Sequence, residues 1–201
     1  LARFVAQHQN ELPLPFKRYH IAPVWRGENT QKGRYREFVQ CDFDTIGTVS
    51  DAADIEMVLV IHELFRAIGV EKFTIRVNNR KVLNGLLEKL NLVEHSTHVL
   101  RAIDKLTKIG AEKVTEELAA TANCGPEQAK QVLALCSLEG DNQAVLTQLD
   151  HLVAGNATGE KGAAQLRAVI EGTTAAGVAP ERVKLDVSIA RGLVQIPAAA
   201  A

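Results

Sequence analysis

The sequence predicts an α+β fold in which an antiparallel sheet is flanked by helices and interrupted by an all-helical insertion. Two stretches with strand-like patterning are joined by a short, turn-rich loop, and a long series of helical segments separated by glycines follows them. Strand-like alternation then returns near the end of the sequence. These observations divide the chain into a core, residues 1-95 and 178-196, and a helical insertion, residues 96-177.

The predicted core begins with a helix and a hairpin. Residues 1–11 are patterned as the end of an amphipathic helix, which the prolines at positions 13 and 15 terminate. Residues 19–26 and 35–46 alternate as strands, and the loop between them is so short that antiparallel pairing is predicted. The remaining predicted elements are a helix over 50–68 with Ser50 or Asp51 as N-cap, a strand over 73–77, a helix over 81–90, helices from 97 to 176, and a strand over 183–189.

The composition of the 201-residue chain indicates a cytoplasmic globular protein. Its 23 lysines and arginines balance 24 acidic residues, which excludes a strongly basic nucleic-acid wrapper and an acidic disordered tail. No apolar run approaches the roughly 20 residues that span a bilayer. Cys41, Cys124 and Cys136 are too widely spaced for a zinc site or a disulfide framework, so we expect buried, reduced thiols and no protein-bound metal. Because the sequence starts at Leu1 and ends in alanines, we expect it to be part of a longer gene product.

The hairpin carries the residues that predict a function. Side chains alternate along a strand, so Gln40 and Asp44 share one face of the second strand with Arg36, Phe38 and Asp42. Pairing of the two strands is expected to bring Arg26 close to Gln40 or Asp44. The opposite face of the second strand is nearly apolar, and we expect it to belong to a core; it carries Val39, Cys41, Phe43 and Thr45.

The same hairpin is locally cationic. Between residues 17 and 36 the sequence has six cations and a single acid, Glu28, which favours a local anion site. Arg26 can hold a carboxylate or a phosphate through two parallel hydrogen bonds, and Lys32, Arg34 and Arg36 can reach a polyphosphate from the loop. The pattern of charges alone fits two interpretations equally well: a binding face, or an exposed sheet face with cross-strand ion pairs and no ligand.

The segment RGENTQKGRYREFVQCDFD, residues 26–44, closely resembles the second signature motif of class II aminoacyl-tRNA synthetases. Within that class it is similar to the histidyl-tRNA synthetase family. The resemblance continues through VNNR at 77–80 and DKL at 104–106. It ends with LDVSIARGL at 185–193, which is similar to the family's histidine-specific arginine segment, so it covers nearly the whole chain.

This resemblance implies activation of histidine with ATP to histidyl-adenylate, followed by transfer to tRNA(His). It implies Arg26 and Arg191 as the catalytic cations at the α-phosphate. It also implies that Mg²⁺ accompanies ATP through the β- and γ-phosphate oxygens and that the full-length parent is a homodimer. The implied ATP-binding residues are Arg26, Glu28, Arg34 and Arg36, and the implied histidine-binding residues, for the α-amino and carboxylate groups, are Gln40, Asp44 and Arg191.

The sequence departs from the family pattern in its flanks. The family's first motif, its acidic histidine-binding segment, its third motif and its anticodon-binding domain have no counterpart in these residues. Val194, Gln195 and Ile196 stand where the family has an aspartate and two tyrosines. We therefore predict that the 201-residue chain alone does not aminoacylate.

Two other functions remain open at this point. The histidine-sensing regulatory subunit of ATP phosphoribosyltransferase shares the class II synthetase fold and is not catalytic. A truncated scaffold that only binds a partner is the other alternative. The loop arginines and Arg191 favour the enzyme, because a sensor of histidine has no need of a polyphosphate-binding loop.

Overall fold

The computed structural model of the chain describes residues 1–27 and 29–189, with residue 107 described by its backbone alone. The chain separates into two compact units, Leu1–Ala53 and Asp54–Ala201. The helices are α1 (Ala2–His8), α2 (Asp51–Ala67), α3 (Arg80–Lys89), α4 (Ser96–Ile103), α5 (Leu106–Ala122), α6 (Pro126–Cys136), α7 (Asn142–Val153) and α8 (Ala157–Ala175). The strands are β1 (Phe16–Trp25), β2 (Glu37–Ile46), β3 (Ile75–Val77) and β4 (Val183–Leu185).

The first unit is built around the predicted hairpin. Strands β1 and β2 pair antiparallel over ten residues each, from Phe16 opposite Ile46 to Trp25 opposite Glu37. The antiparallel prediction is therefore confirmed. Strand β1 begins three residues earlier than predicted, so it includes Arg18. Helix α2 begins at Asp51, and the Ser50 hydroxyl accepts a hydrogen bond from the Ala52 amide at 3.3 Å.

The second unit contains the other strand pair. Strands β3 and β4 pair parallel, with Ile75 opposite Val183 and Val77 opposite Leu185. The predicted antiparallel sheet rests on the hairpin, and the sequence pattern does not predict the direction in which the strands over 73–77 and 183–189 pair. Parallel strands need a crossover connection, and the helices between residues 80 and 175 supply one, returning the chain to run in the direction of β3.

Helices α3 to α8 enclose the apolar core of the second unit. Helices α3 and α8 approach closely at Gly85, where an added Cβ would lie 2.4 Å from the Gly159 Cα. Gly85 is therefore required for this approach, while a Cβ on Gly159 would instead lie 2.7 Å from the Val153 Cβ of α7. The largest fully buried side chains are Leu86, Leu87, Leu118, Leu135, Leu146, Leu149, Val82, Val99, Val114, Val132, Val153 and Thr173.

The helical run predicted between 97 and 176 is confirmed, and the glycines and prolines mark its breaks. Pro126 begins α6 immediately after Gly125, while Gly110 takes φ +80° inside α5 and kinks it. The helices share one apolar core with residues before and after them, including Leu83 and Leu185. The division into a core and an insertion of residues 96-177 stays a prediction.

The three cysteines differ in their exposure to solvent. Cys124 is buried and Cys136 is partly buried, but Cys41 is exposed, so the expectation of buried thiols is wrong for Cys41. It lies on the same face of β2 as Val39, which is 66% exposed. Across residues 1–27 and 29–189, no helix is long and apolar enough to cross a membrane.

Candidate active site

The register of the hairpin decides which predicted residues lie together. Ala22 pairs with Gln40, and Arg18 pairs with Asp44. Directly opposed residues of antiparallel strands point to the same side, so these four positions share one face. The Arg26 amide donates to the Arg36 carbonyl at 2.8 Å, which extends the ladder and places Arg26 on that face as well. We call this surface, with Arg18, Arg26, Gln40, Asp42 and Asp44, the polar face.

Arg26 and Gln40 are in direct contact on the polar face. The Arg26 Nη2 donates to Gln40 Oε1 at 3.1 Å, and the guanidinium carbon lies 4.9 Å from the centroid of the Phe38 ring. Gln40 in turn donates from Nε2 to Asp42 Oδ1. Stacking on the ring and one hydrogen bond orient the guanidinium. Among the described residues its other N–H groups have no side-chain partner, so they can bind an anionic ligand.

Asp44 is held by Arg18 rather than by Arg26. The Arg18 Nη2 lies 2.5 Å from Asp44 Oδ2. This is a close charge contact without hydrogen-bond alignment, because Asp44 Oδ2 and Arg18 Nε are buried and have no hydrogen-bond partner among the described residues. A first strand predicted to begin at Tyr19 leaves Arg18 outside the predicted site. Counting back in steps of two from Arg26 would have placed Arg18 on the same face.

The loop between the strands carries the other predicted cations. Gln31 and Arg34 exchange backbone hydrogen bonds at 3.2 and 2.9 Å around Gly33, whose φ of +78° suits glycine. Arg34 and Arg36 are exposed, and Arg36 lies one residue before β2 begins. Glu28 and Arg191, which complete the predicted site, lie outside the described residues.

The opposite face of the hairpin corrects a second expectation. The apolar face of the second strand is expected to belong to a core, but Val39 on that face is 66% exposed. Tyr19 and Trp25 of β1, on the same side of the hairpin, are 77% and 69% exposed. Gln40 and Asp44 on the polar face are partly buried, and so are Phe43 and Thr45 on the opposite face, so the expectation fails at Val39 and Cys41. Alternation determines which residues share a face, but it does not determine which of the two faces is covered.

The described residues that precede Arg191 are tied to the end of β3. The Asp186 amide donates to the Val77 carbonyl at 3.0 Å, and the Asn78 side chain donates to the carbonyls of Val187 and Ile189 at 3.3 and 3.0 Å. Arg76 Nη1 lies 2.6 Å from Asp186 Oδ2. Burial alone would raise the pKa of Asp186, but the hydrogen bonds from Ser188 and Arg76 outweigh burial and hold that pKa below its ordinary value.

A cavity of about 690 Å³ lies in the second unit, between α2, α3, α8 and the end of β3. Its described lining includes none of the predicted site residues, and its polar members are Asp54, Arg76, Asn78, Asn79, Arg80, Lys81 and Gln165. We place the candidate active site on the polar face of the hairpin instead, because that face carries the motif residues and joins them by direct contacts.

Comparison with known proteins identifies the family of the chain. A profile of the family described as "Histidyl-tRNA synthetase" matches residues 1–194. A histidine--tRNA ligase from Rhodopirellula baltica is 56% identical over 193 residues, which cover 96% of this chain and 44% of that protein. The chain belongs to the histidyl-tRNA synthetase family.

Solved structures of histidyl-tRNA synthetases share the fold of this chain. The crystal structure of histidyl-tRNA synthetase from Nostoc sp. PCC 7120 aligns with a TM-score of 0.86 and 36% identity, covering 96% of this chain and 44% of that one. An ATP phosphoribosyltransferase regulatory subunit/histidyl-tRNA synthetase from Bacillus halodurans C has a TM-score of 0.77 at 23% identity, covering 94% of this chain and 47% of its own, and this likeness shows the fold alone. The chain thus spans less than half the length of these relatives.

Proposed function

We propose that the protein containing this chain is a histidine–tRNA ligase, and that the polar face of the hairpin binds histidine and ATP. The observation that carries the proposal is the contact of Arg26 with Gln40 on the same face as Asp44, in a chain of the histidyl-tRNA synthetase family. A guanidinium, an amide and a carboxylate on one half-buried face match the charges of an amino acid beside a phosphate.

The first reaction joins two anions. An oxygen of the histidine carboxylate attacks the α-phosphorus of ATP, the bond to the β-phosphate oxygen breaks, and pyrophosphate leaves. Arg26 contacts the α-phosphate and the attacking carboxylate, which offsets their repulsion and the charge of the transition state. In this proposal Arg34 lies at the γ-phosphate, Arg36 also binds ATP, and Glu28 binds near the adenine or the tRNA 3′ end. Mg²⁺ would accompany ATP as part of the substrate and neutralise phosphate charge. Arg191 supplies a second cation at the α-phosphate.

Gln40 and Asp44 bind different ends of the amino acid. They are four residues apart on an extended strand, which separates their Cα atoms by about 13 Å. One ammonium group cannot reach side chains that far apart in the same orientation. We assign the ammonium end to Gln40, close to Arg26. For Asp44 the proposal departs from the α-amino and carboxylate groups that the resemblance implies, and assigns an imidazole N–H to its carboxylate.

The second reaction transfers the histidyl group to tRNA(His). A terminal ribose hydroxyl of the tRNA attacks the acyl carbon, and AMP leaves. In this proposal the helices within residues 96-177 contact the acceptor stem, and the full-length protein is a cytoplasmic homodimer. Deleting that segment should weaken tRNA binding more than ATP–pyrophosphate exchange, whereas equal losses would indicate a purely structural segment.

The decisive experiment needs a complete protein, because the chain spans 44% of the Rhodopirellula baltica relative. We would exchange the 193 aligned residues of that relative for those of this chain and measure histidine-dependent ATP–pyrophosphate exchange in the chimera. Arg26→Lys should lower kcat by about 100-fold, because lysine keeps the charge but loses the paired N–H donors.

The matched control is Arg66→Lys, an exposed arginine of α2 that pairs with Glu63 at 3.2 Å. It should leave the exchange rate unchanged, and circular dichroism should show both variants folded. Undiminished exchange in the Arg26 variant would contradict the proposal. Histidine binding without any exchange in the wild-type chimera would favour the regulatory paralogue.

A further inference from the structure

Arg18 is a cation of the polar face to which the resemblance assigns no role. It lies directly opposite Asp44, with Nη2 2.5 Å from Oδ2. The Arg18 side chain is 23% exposed, and the Asp44 side chain keeps 39% of its exposure although its Oδ2 is buried. The accessible polar surface of Asp44 is therefore at its other oxygen, Oδ1.

We propose that Arg18 is a positioning residue for histidine recognition, which fixes the Asp44 carboxylate so that Oδ1 is presented to the amino acid. This inference rests on the proposed function, in which Asp44 contacts histidine. It adds a residue that works through another and touches no reacting atom.

Two physical effects support this role. First, an aspartate on a strand has two rotatable side-chain bonds, and a guanidinium against Oδ2 restricts both, so less conformational entropy is lost when a ligand binds. Second, Arg18 offsets the charge of Asp44. A compensated carboxylate does not require a cationic partner, so it can accept a hydrogen bond from the N–H of a neutral imidazole.

The arrangement is repeated along the face. Arg26 holds Gln40 at 3.1 Å, and Arg18 holds Asp44 at 2.5 Å. Each of the two groups assigned to histidine is thus in contact with an arginine from the first strand or its end. The competing explanation is that the Arg18–Asp44 pair only stabilises the hairpin, and cross-strand pairs of this kind contribute about 0.2–1 kcal/mol.

The two explanations differ in enzyme kinetics. In the chimera, Arg18→Met keeps most of the side-chain stem and removes the guanidinium. We expect the histidine KM to rise about tenfold, with the ATP KM and kcat changing by less than about twofold. Arg18→Lys restores one charged donor and should recover part of the loss. The matched control is Lys17→Met, which removes a neighbouring cation opposite Thr45 on the other face and should leave the histidine KM unchanged.

The opposite result would overturn the inference. A histidine KM equal to that of the wild type in Arg18→Met, or equal increases for histidine and ATP, would show that Arg18 has only a structural role. Failure of Arg18→Lys to recover any of the loss would argue against charge compensation of Asp44.

A second measurement on the 201-residue chain separates this inference from the proposed function. Nitrogen-15 NMR of the arginine side chains should show slow rotation of the Arg18 guanidinium, which Asp44→Asn should release. Free rotation in the wild type would refute the pairing, whatever reaction the protein catalyses. Slow rotation together with a chimera that lacks exchange would refute the proposed function and leave the ion pair in place.

Discussion

The two units of the chain differ in how they are held together. None of the described residues of Leu1–Ala53 is buried, whereas the second unit contains every buried side chain, including Leu86 and Leu118. The first unit depends on the ten-residue strand pairing and on contacts such as Arg18–Asp44. The candidate active site therefore lies on the unit that has no apolar core.

This difference indicates that the two units have different roles: the hairpin carries the candidate site, and the helical unit carries the buried core. An isolated two-stranded hairpin is at best marginally stable in water, so the polar face needs further support to keep its geometry. The exposed apolar residues on the other side of the hairpin are available for such support. The helical unit has what the hairpin lacks, namely clusters of buried apolar side chains and a close approach of α3 to α8 at Gly85.

The largest expected effect tests this difference directly. Leu86→Ala in α3 removes a side chain with 0% exposure and should lower the free energy of unfolding by about 2–5 kcal/mol. Val39→Ala on the exposed hairpin face should change it by less than about 0.5 kcal/mol. Urea denaturation of both variants measures the two values. Similar losses for the two would show that the hairpin has a core of its own.

A smaller effect distinguishes the ion pairs of the two units. The pKa of Asp186 is below its ordinary value, because hydrogen bonds from Ser188 and Arg76 outweigh the opposing effect of burial. A lowered pKa in the folded state gives stability that is present above the unfolded-state value, about 4, and is lost as the pH falls through the folded-state value. Asp186→Asn should therefore lower the melting temperature at pH 7 and flatten its decline in acid.

The matched variant in the first unit is Asp44→Asn. At pH 7 it should lower the melting temperature by less than Asp186→Asn does. The Asp44 carboxylate pairs with Arg18 outside any apolar core, whereas Asp186 ties β4 to β3 within the second unit. Thermal melts from pH 3 to 8 compare the two. An unchanged acid decline in Asp186→Asn would contradict the assignment of that decline to Asp186.

Much of the fold could be predicted from the sequence because its signals are local. Gly125-Pro126 marks the start of α6, and the short loop after Trp25 predicts an antiparallel hairpin. The parallel pairing of β3 with β4 could not be predicted because it joins strands about a hundred residues apart, and no local pattern encodes the direction of such a pair.

The part of the candidate site that could be predicted also depends on local sequence signals. Alternation along β2 placed Gln40 and Asp44 on one face, and the contact of Arg26 with Gln40 was one of the two expected. The partner of Asp44 depends on the register and on where β1 begins, and a predicted start three residues late leaves Arg18 outside the predicted strand. The exposed side of the hairpin depends on packing, which alternation does not specify.

The most direct test of the account is a crystal structure of the chimera with histidine and a non-hydrolysable ATP analogue. We predict the α-phosphate within hydrogen-bonding distance of Arg26, the ammonium group at Gln40 and an imidazole N–H at Asp44 Oδ1. Ligands bound elsewhere, with Arg26, Gln40 and Asp44 touching neither of them, would contradict the placement of the active site on the hairpin.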